Sequence, residues 1–211
     1  PIVAAAAMTE GIITPDTTIL CPASAIYTYY APSFTPGCLK DRHYGNANLD
    51  VRHALEYSCN IFFYETGRRL GIDTLVRYAE YFGLGVDTGI EIPSLNGRLT
   101  TKEDPDWQEG NVVQAAIGQM NTSVTPLQMA CEAMTIANKG TRYEAHLVQN
   151  ILSYDTSTVL EEKKPVVASS FELSDEAFEA IRDGMVSVSQ NIAAPNQIWD
   201  TRWRSKLAPL R

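Results

Sequence analysis

Residues 48–64 read NLDVRHALEYSCNIFFY and contain the signals of two consecutive helices. Asp50 is a good N-cap residue, and the apolar residues after it recur at helical spacing, which predicts a first helix. A second helix is predicted from Asn60 to Arg69, with Gly71 ending it. The tripeptide Ser58-Cys59-Asn60 lies between the two helices. By itself this tripeptide is weak evidence for a site, because Ser and Asn at a helix boundary most often act as caps.

Helix signals continue on both sides of this stretch. Residues 2–10 are strong helix formers, and Gly11 is expected to end their helix. Three later helices are predicted from their caps: Asp73 or Thr74, Thr125 with Pro126 at the first helical position, and Ser174. Residues 14–44 are rich in proline, which predicts loops and short extended pieces. Residues 146–160 alternate between apolar and polar, which predicts a β-hairpin turning near Asp155.

Length and composition place the chain among globular proteins. It has 211 residues, of which 45% are hydrophobic and 20% charged, enough for one domain with a substantial core. The net charge is −8 without a run of Lys or Arg, so nucleic acid is excluded as a partner. There is no stretch of about 18 apolar residues, and no basic segment at Pro1 that would indicate a signal peptide. We therefore expect the chain to begin inside a longer protein.

The cysteines give little guidance. Cys21, Cys38, Cys59 and Cys131 show no C-x-x-C spacing, and the chain has only three histidines, so no structural zinc site is expected. Cys21 and Cys38 bracket a turn-rich loop, and two alternatives stay open: a disulfide formed outside the cytoplasm, or two thiols. Cys59 and Cys131 lie in apolar runs and are interpreted as buried small hydrophobic residues.

Five blocks of sequence, in the right order, resemble class B penicillin-binding proteins. They are the S-x-N segment at 48–64, GLG at 83–85 with TGIEIP at 88–93, AAIGQ at 115–119, TPLQMA at 125–130 and IANKGT at 136–141. The resemblance covers residues 1 to about 190 and is greatest to elongation-type members of Gram-positive bacteria. It implies an α/β (α+β) fold, in which an antiparallel sheet flanked by helices lies beside an all-helical lobe, with the active site between them.

The resemblance also implies roles for Ser58 and Asn60. In this family three motifs meet in one cleft: S-x-x-K with the nucleophilic serine and its lysine, S-x-N, and K-[ST]-G on an edge strand. A serine hydroxyl needs a neighbouring base to become a nucleophile. Ser58 is implied to relay protons to the leaving amine, and Asn60 to hydrogen-bond the substrate's peptide amide and orient the lysine. No cofactor or metal is implied, because an activated serine and an oxyanion hole suffice for acyl transfer.

The first of the three motifs is missing from the chain. Family members carry S-x-x-K-P at the start of the helix that corresponds to residues 2–9, so Pro1 is expected to follow the catalytic lysine directly. The nucleophile and the lysine are then expected upstream of Pro1. Residues 1–190 are accordingly predicted to form a partial transpeptidase domain.

The K-[ST]-G motif is missing as well, since Lys206 is followed by Leu207. Residues 191–211 have neither helical nor strand periodicity, and we expect them to be a non-native or frameshifted tail. Codons that encode Ser205 to Arg211 can be chosen so that a shift of two bases gives Gln-Thr-Gly-Thr-Ala-Ala. That product resembles the family's K-T-G-T-A.

The function implied by the resemblance is peptidoglycan D,D-transpeptidation, in which a D-Ala-D-Ala stem peptide acylates the serine and a neighbouring amine resolves the acyl-enzyme. β-Lactams would acylate the same serine. The parent protein is expected to be anchored in the cell membrane, with this domain on the extracytoplasmic side and the elongation machinery as partner, while the present chain is expected to be inactive. Two alternatives remain: a serine β-lactamase or β-lactam sensor, and a non-catalytic module that scaffolds cell-wall synthesis or binds peptidoglycan.

Overall fold

The computed structural model describes residues 1–38 and 47–191, and these form helices and short antiparallel strands. The helices are α1 (Ile2–Thr9), α2 (Val51–Glu56), α3 (Asn60–Leu70), α4 (Ile72–Tyr81), α5 (Asn111–Ala115), α6 (Pro126–Ala137) and α7 (Asp175–Asn191). The strands are β1 (Ile19–Cys21), β2 (Ala47–Leu49), β3 (Thr141–Tyr143), β4 (Asn150–Leu152), β5 (Val159–Glu162) and β6 (Val167–Ser170).

Helix α1 lies inside the core. Every residue from Ile2 to Ala7 is buried, because α3, α4 and α7 all pack against this helix. Its four consecutive alanines have no bulk beyond Cβ, so the surrounding helices can approach closely. The helix ends as predicted before Gly11, which adopts a φ of +68°.

Two close helix contacts connect the centre of the sequence to the rest of the fold. Helix α2 packs against α7, where a Cβ added to Gly184 would lie 2.8 Å from the Cβ of Leu55. Helix α3 packs against α5, where a Cβ added to Gly67 would clash with the Cβ of Ala116. Larger side chains at either glycine would push the helices apart, so the orientation of α2 and α3 depends on both contacts.

The start of α4 corrects one prediction. The helix begins at Ile72 with Gly71 as its N-cap, whereas the sequence predicted a cap at Asp73 or Thr74. Gly71 has a φ of +79°, so the chain reverses between α3 and α4 without a separate loop. Ile72 and Leu75 are buried, and their packing sets the first turn in place of a side-chain cap. The five-residue helix α5 was not predicted, because it is too short to show a helical period.

The strands pair antiparallel in three two-stranded sheets, β1 with β2, β3 with β6, and β4 with β5. The β4–β5 hairpin confirms the one predicted between residues 146 and 160. Its turn is held by Asp155, which accepts hydrogen bonds from the hydroxyls of Ser153 and Ser157 at 2.6 and 2.8 Å. Among residues 1–38 and 47–191, no helix has the length and apolar character needed to cross a membrane.

Candidate active site

A cavity of about 490 Å³ lies between the first residues of α1, the turn that joins α2 to α3, and α6. Its wall is largely apolar and carries a few polar side chains: Ser58, Asn60, Thr100, Thr122 and Glu132. Pro1 also lies on the wall, so the cavity adjoins the start of α1. A concave apolar site with a few converging polar groups is the usual form of a ligand-binding or active site.

Ser58 stands on this wall in an unusual backbone conformation. Its φ is +54°, in the left-handed region, and its side chain is exposed. The conformation closes α2, because the N–H groups of Ser58 and Cys59 donate to the carbonyls of Leu55 and Ala54 at 3.1 and 2.9 Å. Glycine is the usual residue at such a helix end, and another residue costs about 1 kcal/mol more. A serine retained there at that cost suggests that its hydroxyl has a use.

Asn60 is the first residue of α3 and is held by the loop segment that contains Gly37 and Cys38. Its side-chain Nδ2 donates to the carbonyl of Gly37 at 3.3 Å, and its backbone N–H donates to Cys38 Sγ at 3.3 Å. The hydroxyl of Tyr64, one turn further along α3, donates to the same Gly37 carbonyl at 3.2 Å. The loop and α3 therefore fix Asn60 together, with part of its side chain facing the cavity.

The partly buried carboxylate of Glu65 links the preceding part of this loop to α3. Glu65 accepts a hydrogen bond from the Tyr27 hydroxyl at 2.6 Å and two from the Arg68 guanidinium at 2.9 and 3.0 Å. Burial alone would raise the pKa of Glu65, but the hydrogen bonds from Arg68, Tyr27 and Arg69 outweigh it and lower the pKa to about 2. Glu65 is therefore ionised at neutral pH, and its charge ties the loop to α3.

Glu132 is a residue of the cavity wall that the sequence analysis missed. It lies on α6 and its residue is only 8% exposed. Burial raises the pKa of its carboxyl. The signal was present in the sequence, since Glu132 is the one charged residue in the apolar run LQMACEAM of α6. A buried carboxyl with a raised pKa beside a cleft is a candidate functional group.

Other polar side chains in the blocks that resemble the family cap helices or lie at the surface. The Thr125 hydroxyl caps α6 by accepting from the Gln128 N–H at 3.2 Å. His53 is exposed at the surface, with Nδ1 2.7 Å from Asp50 Oδ1. Gln119 is exposed and follows Gly118, which does lie on the cavity wall. The predicted non-native tail lies, apart from Asn191 at the end of α7, outside the residues that the structure describes.

Similarity to known proteins identifies the family. The sequence model of one protein family, the penicillin-binding protein transpeptidase domain, matches residues 1–202. The peptidoglycan D,D-transpeptidase MrdA of Haemophilus influenzae is 32% identical over 158 residues, which are 72% of this chain and 24% of that protein. Penicillin-binding protein 2A of Bacillus subtilis is 28% identical over 170 residues, covering 71% of this chain and 23% of that protein. The crystal structure of PBPA from Mycobacterium tuberculosis has a TM-score of 0.73 at 24% identity, over 92% of this chain and 44% of that one.

The helices and the antiparallel strands are those of an α/β transpeptidase domain, as the sequence predicted. The chain belongs to the penicillin-binding protein transpeptidase family, in its class B branch. It spans about a quarter of the length of the curated relatives it matches.

Proposed function

We propose that this chain is part of the transpeptidase domain of a peptidoglycan D,D-transpeptidase, which cross-links the cell wall by serine acyl transfer. One observation carries the proposal: Ser58 and Asn60 stand together on the wall of a cavity that adjoins the start of the buried helix α1. In this family the nucleophile and its lysine immediately precede that helix. The name of the MrdA relative, a peptidoglycan D,D-transpeptidase, supports the same reaction.

In this proposal the serine nucleophile and the lysine base come from the segment before Pro1. Ser58 relays a proton to the amine that leaves when the stem peptide acylates the nucleophile, a role that its exposed hydroxyl permits. Asn60 hydrogen-bonds the peptide amide of the substrate and orients the lysine. Its side chain already donates to Gly37, and an amide has a second N–H and an oxygen for further partners.

The substrate class is the D-Ala-D-Ala end of a peptidoglycan stem peptide, and β-lactams acylate the same serine. The parent protein is proposed to be anchored in the cell membrane, with this domain on the extracytoplasmic side and in contact with the elongation machinery. The reaction needs no cofactor, because covalent catalysis by serine with stabilisation of the oxyanion is sufficient.

The last residues of the chain are proposed to be an out-of-frame translation of the segment that leads into the K-T-G strand. The nucleotide sequence of the gene decides this directly. We expect a second reading frame across residues 191–211 to encode a Thr-Gly-Thr-like segment. If none of the frames encodes it, the tail is not a frameshift product.

Covalent labelling with a fluorescent penicillin tests the proposed function. The present chain should remain unlabelled, because it lacks the nucleophile. A longer chain, with the gene's upstream S-x-x-K segment and the downstream K-T-G segment in frame, should take up about one label per chain. The matched control is the longer chain with the motif serine changed to alanine, which should not be labelled.

Three outcomes count against the proposal. Labelling of the present chain would show that the acylated group lies within residues 1–211. A folded longer chain that takes up no label would favour a non-catalytic module. Rapid hydrolysis of the penicillin after labelling would favour a serine β-lactamase, whereas a stable acyl-enzyme and release of D-alanine from a stem peptide are expected for a transpeptidase.

A further inference from the structure

A second cavity, of about 280 Å³, lies between three parts of the chain that are far apart in the sequence. These parts are the loop at Tyr29, the end of α3 with the start of α4, and residues 102–112 around the start of α5. Arg68 lines this cavity and follows Asn60 by eight positions on α3, so the two lie about 12 Å apart along the helix. Ile72 lines both cavities, so the second one is a neighbour of the candidate active site.

Three aromatic side chains line the second cavity: Tyr29, Tyr30 and Trp107. Tyr30 and Trp107 are partly buried against the core, whereas Tyr29 is 59% exposed. The rings of Tyr29 and Tyr30 meet edge to face, with their centroids 4.9 Å apart and their planes at 77°. A ring as exposed as that of Tyr29 contributes little to the core, so it is available to a ligand.

Arg68 holds the Tyr29 ring in place. The guanidinium carbon of Arg68 lies 4.1 Å from the centroid of the Tyr29 ring, and the same guanidinium donates two hydrogen bonds to Glu65. Glu65 also accepts from the Tyr27 hydroxyl, so the position of Arg68 is fixed by the fold. The Tyr29 ring is therefore oriented before any ligand binds, which reduces the entropy that is lost on binding.

The charged side chains around the rings carry both signs. Arg68 and Lys102 are hydrogen-bond donors, and Asp73 and Glu109 are acceptors, so the four charges cancel. Lys102 already donates to Asp73 across the cavity mouth. A charged ligand would meet like charges as well as opposite ones here, which weakens its binding. A neutral ligand with many hydroxyl groups can use the donors and the acceptors alike.

We propose that the second cavity binds one pyranose ring of a neutral saccharide, with the C–H face of the sugar against the aromatic side chains and its hydroxyls on the charged ones. The face of an aromatic ring is negative, so it attracts the weakly positive C–H groups of a sugar. At about 280 Å³ the cavity lies just below the range of pockets that hold drug-sized ligands, so it has room for a single sugar ring.

The choice of sugar rests on the proposed function. The stem peptides of peptidoglycan are attached to a glycan strand of N-acetylhexosamines. A stem peptide bound at Ser58 and Asn60 is followed by its glycan, and the distance of about 12 Å from Asn60 to Arg68 is spanned by about four extended residues. The second cavity is therefore placed to hold one N-acetylhexosamine unit of the strand that carries the bound peptide.

Binding of tri-N-acetylchitotriose to the whole purified chain tests the site without penicillin or acylation. Saturation-transfer difference NMR should show transfer from the protein to the ring protons of the sugar, and a titration should give a dissociation constant of about 1 mM, as expected for a ligand held by a single ring. The longer chain used for penicillin labelling should give the same constant, so the result does not depend on the stability of the shorter chain.

The matched variants are Tyr29→Ala and Tyr29→Phe, with Tyr154→Ala as the control, because Tyr154 is a fully exposed tyrosine between β4 and β5. Tyr29→Ala should weaken binding of the trisaccharide about tenfold, whereas Tyr29→Phe, which keeps the ring, should stay within about twofold. Tyr154→Ala should bind like the unsubstituted chain. Circular dichroism of each variant checks that the fold is retained.

The proposal is overturned if neither chain shows transfer to the trisaccharide at about 10 mM, if folded Tyr29→Ala binds it as tightly as the unsubstituted chain, or if Tyr154→Ala weakens binding equally. It is also overturned if choline, a cation of the kind that aromatic cages bind, occupies the cavity and the sugar does not. Acylation by penicillin is measured separately, so failure of the saccharide site and failure of the proposed function give different results.

Discussion

The two helices that carry polar side chains onto the cavity wall, α3 and α6, begin in opposite ways. Helix α6 has Pro126 in its first turn and a full capping box, in which Thr125 and Gln128 satisfy each other's backbone N–H groups. Helix α3 has Cys59 as its N-cap, without a side-chain capping hydrogen bond, and follows Ser58 in a left-handed conformation. The start of α6 is therefore arranged for stability, and the start of α3 for placing Ser58, Cys59 and Asn60.

The difference extends to how each start is held. Gln128 is fully buried and bonds both its own helix start and two distant carbonyls. The start of α3 is held from outside the helix, by the loop through Gly37 and Cys38 and by the Tyr27–Glu65 hydrogen bond beneath it. Local capping is independent of the rest of the fold, whereas the start of α3 depends on contacts between distant parts of the chain.

The largest expected effect is at α6. Gln128→Ala removes donors to the carbonyls of Val86 and Asn96, at 2.9 and 2.7 Å, and the acceptor of the Thr125 N–H. The Gln128 side chain is fully buried and three hydrogen bonds are lost, so the free energy of unfolding should fall by about 3 to 4 kcal/mol. Urea denaturation measures this, with exposed Gln108→Ala as the control. A loss below about 1 kcal/mol would mean that α6 does not depend on its buried cap.

The second largest effect on stability is expected at Glu65, whose carboxylate links α3 to Tyr27. The pKa of Glu65 is lowered to about 2 from an ordinary 4.5, so its ionised form stabilises the fold at neutral pH. This contribution is present above about pH 4.5 and is lost as the pH falls towards 2. Glu65→Gln should lower the free energy of unfolding at pH 7 by about 2 to 3 kcal/mol and flatten its decline with acid. Thermal unfolding from pH 2 to 7 measures both, and exposed Glu80→Gln should behave like the unsubstituted chain.

A smaller effect is expected from the capping residue itself. Thr125→Ala removes the acceptor for the Gln128 N–H and should lower the free energy of unfolding by about 1 kcal/mol. Exposed Thr18→Ala, which touches no helix cap, should stay within about 0.5 kcal/mol. Equal losses of unfolding free energy in Thr125→Ala and Thr18→Ala would show that the Thr125 cap does not stabilise the start of α6.

The smallest effect has the opposite sign. Ser58→Gly should raise the free energy of unfolding by about 0.5 to 1 kcal/mol, because glycine adopts the φ of +54° without strain. Ser58→Ala keeps the strain and should change stability little. Chemical denaturation of the two variants side by side measures the difference. A destabilised glycine variant would show that the Ser58 side chain supports the fold and is not retained for its hydroxyl.

The same contrast explains what the sequence could and could not predict. Capped helices with clear periodicity were predicted, as at Asp50 and Thr125, because caps and apolar spacing act locally. The start of α4 was placed wrongly, since Gly71 and the packing of Ile72 replace a side-chain cap. Features that depend on distant contacts were missed. The clearest is the meeting of Cys21, Cys38 and Cys59, whose sulfur atoms lie within 4.8 Å of one another although the three residues are far apart in the sequence.

Some residues of the candidate site were found from the sequence, and others were missed. Ser58 and Asn60 were found from the residues around them, and both lie on the cavity wall. Glu132 was overlooked because a single carboxylate on a helix is usually solvated, although its position in the apolar run of α6 was a signal that it is buried. The hydrogen bond from Tyr27 to Glu65 was equally hidden, because the two residues are 38 positions apart, whereas Glu65 and Arg68 are three residues apart on α3.

The roles of Ser58 and Asn60 are tested most directly by the rate at which fluorescent penicillin acylates the longer chain, which contains S-x-x-K and K-T-G. The variants to compare in that chain are Ser58→Ala and Asn60→Ala, with Thr125→Ala as the control. If Ser58 and Asn60 form the wall of an acyl-transfer site, each alanine variant should slow acylation by about 100-fold or more while remaining folded. Thr125→Ala should acylate at nearly the unsubstituted rate. Acylation of folded Ser58→Ala and Asn60→Ala within about threefold of the unsubstituted rate would contradict the roles proposed for both residues.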